Sequence, residues 1–423
     1  MENLLKFLDN SRSAYHAVAN LTELLKGEGY TALSEQENWE LIPGGKYYVN
    51  RNGSAVLAFR VPNEKPQGFL FSAAHSDRPT FKVKENGVLS GSYTRLSVEK
   101  YGGMLMAPWL DRPLSVAGRV IVETEKGIES RLVDIDRDLL LIPNVAIHLN
   151  RKANEGYAFN PATDLLPLLG DKEQENLFWE ELGELAGGKI LGHDLFLYVR
   201  QKPARWGLNQ EFFSAQAIDD LECAWCCTQG FLKAKEAGKI PVLCIFDNEE
   251  TGSSSYQGAA SDFLQSAVSR ICQSLGLGQK QQLACSFMVS ADNGHALHPN
   301  HPELSDSANA PVVNGGVVLK FNANQRYTTD GISAALFRKI CEKANVPVQT
   351  YCNRADIAGG STLGNVSLSQ VGVPCVDIGL AQLAMHSCFE TAGAKDVEYL
   401  VDAMTAFYST ELTGSAESGY AIG

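Results

Sequence analysis

The chain has 423 residues, and at roughly 150 residues per domain it is too long for one ordinary core, so two domains are expected. Its 36 Lys and Arg stand against 49 Asp and Glu, a net charge of −13, with no basic block, which argues against a phosphate-backbone or nucleic-acid binder. With 44% apolar and 20% charged residues it reads as globular, neither disordered nor collagen-like, and no apolar run approaches the ~18 residues that span a bilayer.

The first ten residues carry neither a basic start nor a long apolar stretch, so no secretory signal is read and a cytoplasmic location is expected. From Asn10 to Tyr30 the spacing of Val18, Leu21, Leu24 and Leu25, with Ser11 or Ser13 as cap and Gly27 and Gly29 beyond, predicts an amphipathic helix. Phe69 to Ala74 is a short apolar run that stops at His75, as a buried strand would. Between about Lys84 and Leu208 the texture changes to short strand-like runs, Val116 to Val122 and Asp194 to Val199 among them. Helical periodicity there is confined to Glu173–Ala186, and an inserted β-rich, barrel-like domain is expected.

After Gln210 strands and helices alternate again. Strand candidates at Pro241–Phe246, Ser286–Ala291 and Cys375–Leu380 are interleaved with helical patterns that start near Leu221, Phe263, Ile332 and Leu400. The expected fold is α/β, a doubly wound mixed sheet with helices on both faces, built from 1–83 and 209–423 and interrupted by 84–208 as an inserted β-rich domain. All ten cysteines fall between Cys223 and Cys388, mostly in apolar segments, and read as reduced core thiols; the Cys223/Cys226 pair sits in a helical pattern.

Ligands of an open α/β sheet gather beyond the carboxyl ends of its strands. His75 and Asp77 follow the first strand candidate, Glu249 and Glu250 the second, Asp292 the third, and His386 lies shortly past Leu380; Asp219 precedes a helix at the same rim. Singly, each has an ordinary explanation, such as a helix cap or a solvated acid. Collected in one cleft, the acids would repel unless neutralised, and two imidazoles with several carboxylates suit a pair of divalent cations, zinc first, with cobalt or manganese tolerated.

The motifs A-A-H-S-D-R-P (73–79), I-D-D-L (218–221), D-N-E-E-T-G-S (247–253), S-A-D-N-G-H-A-L-H-P-N (290–300), L-K-F-N-A-N-Q-R-Y (319–327) and L-A-M-H-S (383–387) resemble, in order, those of the aspartyl aminopeptidase family of dizinc exopeptidases. The resemblance implies that Asp219 bridges two metals, that His75 and Asp292 complete one site, and that Glu250 and His386 complete the other. It also implies that Glu249 is the general base for a metal-bridging water and that Asp77 orients the imidazole of His75. The peptide after Asp219 is implied to be cis.

On the same grounds Lys320 meets an acidic substrate side chain, with Tyr327 and the Gly359-Gly360-Ser361 loop facing substrate, and His148 reaches the active site of a neighbouring subunit. That loop lacks the G-K-[ST] of a phosphate-binding P-loop. His295, His298 and His301 invite a third metal site, but Pro299 and Pro302 break any helix that would align them, and they are read as packing residues.

The implied activity is hydrolysis of the N-terminal residue of peptides, with preference for Asp or Glu, in a homo-oligomer expected to be a dodecamer built from dimers. Neutral or broad specificity is the alternative, followed by a metal-binding assembly protein without catalysis.

Overall fold

The computed structural model describes residues 1–423 except Glu173, Ser361 and Ala416. Its main sheet has nine strands in the order Thr31–Ala32, Lys46–Arg51, Ala55–Arg60, Ile240–Phe246, Phe69–His75, Phe287–Ala291, Cys375–Gly379, Val317–Phe321 and Val348–Cys352. The central strands Ile240–Phe246, Phe69–His75, Phe287–Ala291 and Cys375–Gly379 run parallel, whereas Ala55–Arg60 and Val317–Phe321 are antiparallel to their inner neighbours. The sheet is therefore mixed, as expected.

Side chains alternate along each strand between two cores, as the period of two requires. Leu70, Ala74, Leu243 and Ile245 pack under the helices Ala14–Gly27, Ile218–Lys233, Gly331–Lys343 and Asp396–Tyr408. Phe69, Phe71, Val242 and Cys244 pack against Phe263–Ser274 on the opposite face. Burial on both faces explains why these strands read as continuous apolar runs.

The first expected helix is observed at Ala14–Gly27, capped by Ser13, whose hydroxyl accepts the His16 N–H. A separate helix at Glu2–Asn10 precedes it, one the sequence reading lacks. Cys223 and Cys226 are fully buried in the helix Ile218–Lys233, and all ten cysteines are free thiols.

A second, antiparallel sheet orders Gly127–Asp134, Leu114–Thr124, Ile190–Val199, Thr80–Leu89, Thr94–Tyr101 and Leu168–Gly170. Its end strands do not pair directly. Isolated bridges from Leu114 to Leu140 and from Leu141 to Leu168 curl it back on itself. Its own core, with Phe81, Val116, Val120, Leu195 and Leu197, also holds Phe178 and Leu182 of the helix Glu175–Ala186. No helix among the described residues is long and apolar enough to cross a membrane.

Candidate metal centre

The carboxyl ends of the central strands bring the expected ligands together. His75 is the last residue of its fully buried strand, and its main-chain N–H donates to Asp220 Oδ2 at 3.2 Å. Asp219 opens the helix Ile218–Lys233 in a non-helical conformation, after Ala217 at φ 55° and before a cis Asp219–Asp220 peptide. Glu249 and Glu250 form a short 3-10 turn after Asn248, which is held at φ 61°.

Asp219 sits between the two imidazoles. Its Oδ1 lies 3.4 Å from His75 Nε2 and its Oδ2 lies 3.3 Å from His386 Nε2, while Glu250 Oε2 is 3.5 Å from the same His386 nitrogen. The donor atoms of His75, Asp219 and Asp292 all lie within 4.8 Å of one another, and so do those of Asp219, Glu250 and His386; a further group joins His75, Glu249 and Glu250. Asp219 is common to the first two groups. These are the five residues the sequence motifs single out as candidate ligands, arranged as two overlapping sets.

The donor set fits cations. Asp219 Oδ1 and Glu250 Oε1 are buried without a hydrogen-bond partner, which is costly for carboxylate oxygens unless a positive charge faces them. Burial pushes Asp292 up to about 6 and Glu249 up to about 7, with neighbouring carboxylates adding to both. Asp219 goes the other way: against the effect of burial, the close imidazoles of His386 and His75 hold it well below the usual carboxylate range. Acids that raise one another in a closed site gain by sharing a positive charge, which a divalent cation would supply.

Asp77 does more than the sequence assigned to it. Its Oδ1 lies 3.3 Å from His75 Nδ1 and accepts the Glu249 N–H at 3.1 Å; its Oδ2 accepts the Glu250 N–H at 3.2 Å and the Tyr101 hydroxyl at 2.6 Å. The hydrogen-bond partner of His75 Nδ1 is the Asp77 main-chain carbonyl oxygen at 3.2 Å, so Asp77 orients this imidazole through its backbone with its carboxylate close by, and that carboxylate holds the turn that carries both glutamates. Arg78 turns away, donating to the main-chain carbonyls of Ser11 and Arg12.

Lys320 is 2% exposed, with Nζ 3.7 Å from Asp292 Oδ2, 2.8 Å from the Asn293 carbonyl oxygen and 5.5 Å from the centre of the buried Tyr327 ring. Gly359 is half-buried, and a Cβ there would meet Asn353 Oδ1 at 2.5 Å; Gly360 has open space around it, and Ser361 lies outside the described residues. His148 sits in an exposed turn beside exposed Val145, Ile147 and Leu149, apart from the cluster's hydrogen bonds and ion pairs among the described residues. His298 and His301 are exposed, with His301 Nδ1 3.0 Å from Glu303, and no metal-binding group among the described residues includes them.

The sequence reading missed Tyr101, Asn293 and Glu390. Only Glu390 carried a signal, as a lone acid between Phe389 and Thr391-Ala392 shortly after His386.

Residues 7–408 match the family model described as aminopeptidase I zinc metalloprotease (M18). The chain belongs to the M18 family of zinc metalloaminopeptidases. It is 40% identical over 426 residues to a probable M18 family aminopeptidase 2 of Clostridium acetobutylicum, spanning 96% of this chain and 98% of that protein. Among solved structures it is similar to Ape4, determined as a complex with Nbr1, with TM-score 0.93 and 36% identity over 96% of this chain and 85% of that one. The Saccharomyces mApe1 dodecamer superposes with TM-score 0.85 at 27% identity, over 96% of this chain and 95% of that one. As a family member the chain is an exopeptidase, and zinc is its family's metal.

Proposed function

We propose that this metalloaminopeptidase removes acidic residues, Asp and Glu, from peptide N-termini, using two zinc ions held by His75, Asp219, Glu250, Asp292 and His386. Cobalt or manganese suits the same donors. The observation that carries the acidic preference is Lys320: a buried ammonium next to the ligand Asp292, with one hydrogen bond to a carbonyl and capacity for more. The net charge of −13 repels acidic substrates at long range, so the preference has to come from this local cation.

Bound zinc supplies Lewis acidity toward the scissile carbonyl and lowers the pKa of water. The chain's own contribution is proton handling and orientation. Glu249, raised toward neutrality chiefly by burial, takes the proton of the attacking water on a carboxylate oxygen and returns it to the leaving amine. Asp77 keeps the imidazole of His75 and the Glu249–Glu250 turn in register. Tyr327 and the loop of Gly359, Gly360 and Ser361 flank the substrate.

The dodecameric relative supports a homo-oligomer; within it, we infer, the unit 84–208, interrupting 1–83 and 209–423, forms dimers and His148 serves the neighbouring subunit's site, stabilising the developing oxyanion. Exposed apolar side chains around His148 agree with a covered surface. Ten free cysteines, most of them buried, accord with a reducing cytoplasm.

The deciding experiment is a panel of Asp-, Glu- and Leu-anilides and the matching N-acetylated peptides. Preference for the two acids with no cleavage of blocked peptides is expected. Faster turnover of Leu than of either acid removes the acidic assignment and favours the neutral or broad alternative.

A further inference from the structure

Packed against the ligand cluster is a line of buried polar side chains that the mechanism above leaves unused. Glu390, 1% exposed, begins the strand Glu390–Gly393. Its Oε2 accepts the main-chain N–H of Asp219 at 3.0 Å, and its Oε1 accepts that of His386 at 2.7 Å and Gln382 Nε2 at 3.3 Å. Gln382 Oε1 in turn accepts Asn293 Nδ2 at 2.8 Å. Asn293, the residue after Asp292, also donates from Nδ2 to Glu222 Oε2 at 3.0 Å and to the Ile218 carbonyl at 3.3 Å.

Three N–H donors converge on Glu390, and both its oxygens serve as acceptors. The amides it holds belong to residues 167 positions apart in the chain, 219 and 386, whose side chains meet at 3.3 Å. Neither amide is fixed by a regular ladder. His386 stands at φ 66°, and Ala217, two residues before Asp219, at φ 55°, a region in which side chains other than glycine are unfavourable. The His386 amide is held from four residues on and the Asp219 amide from 171 residues away, and a single carboxylate ties the two together.

We propose that Glu390 is a positioning residue: by gripping both amides it fixes the spacing of Asp219 and His386, and so the affinity of the metal site they share with Glu250. Gln382 and Asn293 extend the same control to the segment that carries Asp292. This inference rests on the ligand assignment above and concerns how tightly one of the two sites holds its ion.

The test is zinc competition against a chromophoric chelator on the full-length protein, with Glu390→Gln as the variant, since its amide points a donor at an N–H. The zinc held with Glu250 and His386 is expected to weaken by about 10- to 100-fold, the usual cost of losing a partner that supports a metal ligand, and the other, which shares only Asp219 with it, to weaken clearly less. Activity should return in excess zinc, and the thermal midpoint of the zinc-free protein should match wild type. Two zincs held at unchanged affinity would overturn the proposal, as would equal weakening of both sites together with a lowered zinc-free midpoint.

If Glu390→Gln fails to fold, Gln382→Met decides the matter: selective loosening of one zinc supports the proposal, and unaltered binding of both defeats it. His386→Ala separates the two levels of inference. It should abolish the same site, and retention of both zincs by that variant would discredit the ligand assignment rather than the role of Glu390.

Discussion

The Tyr101 hydroxyl donates to Asp77 Oδ2 at 2.6 Å and accepts from Asn248 Nδ2 at 2.8 Å, so a residue of the six-stranded sheet ends directly on the carboxylate that holds the Glu249–Glu250 turn beside His75. Tyr101→Phe removes a hydrogen bond to a charged group and leaves the Asn248 amide without its acceptor. A stability loss of about 1.5–3 kcal/mol is expected, with a several-fold drop in kcat/KM and looser zinc. Thermal unfolding and kinetics on the same preparation check it; an unchanged variant would show that the inserted sheet does not support the site.

Replacing Glu249 with Gln keeps the side-chain volume and removes the proton acceptor. Zinc content and circular dichroism should match wild type while kcat falls by about 10²- to 10⁴-fold, the usual worth of a general base. Undiminished turnover would remove Glu249 from the mechanism.

Lys320→Met should cut kcat/KM for Asp and Glu substrates while sparing Leu. Loss of a buried partner for a charged group costs roughly 2–5 kcal/mol, which predicts a selectivity change of at least about thirtyfold. An equal loss for all three substrates would instead assign Lys320 to supporting Asp292, whose Oδ2 is 3.7 Å from its ammonium.

Stripping the metals should destabilise the fold as well as inactivate it, because Asp219, Glu250 and Asp292 then face one another without cations. Zinc at a thousandfold excess over its dissociation constant stabilises by about 4 kcal/mol through mass action. Calorimetry with and without a chelator measures this, and identical midpoints would argue against an ordered metal centre.

His16 supplies a pH dependence remote from the metals. Burial lowers its pKa to about 4; Asp134 pulls the other way, and Arg78 and Arg12 add to the lowering. The folded value is below the unfolded value of about 6.5, so the unfolded chain binds more protons between the two. This contribution to stability is complete above pH 6.5 and is lost as pH falls toward 4. His16→Gln should flatten that part of the stability profile, and a slope as steep as wild type would exclude His16 as its source.

Much of the residue cluster is legible in the sequence because its members follow strands whose apolar runs stop abruptly, as at Ala74-His75 and Phe246-Asp247. Other parts are not. The strands Lys46–Arg51 and Val348–Cys352 alternate too weakly to stand out, and the short helix Gln279–Ala284 has little periodicity. Glu390 and Tyr101 escaped for a different reason: their partners are main-chain amides or residues far along the chain, and no local pattern records such a pairing.

Local order along the chain is enough for the α/β alternation, the change to short strand-like runs in its middle and the residue types gathered at the strand ends, since periodicity and the residues after each strand are properties of neighbours. Which carboxylate lies between two imidazoles, which lysine is buried beside Asp292, and that Glu390 grips two distant amides are facts of three-dimensional convergence. They follow from the register in which strands 69–75, 240–246, 287–291 and 375–379 pack, and that register is settled by burial of both sheet faces at once.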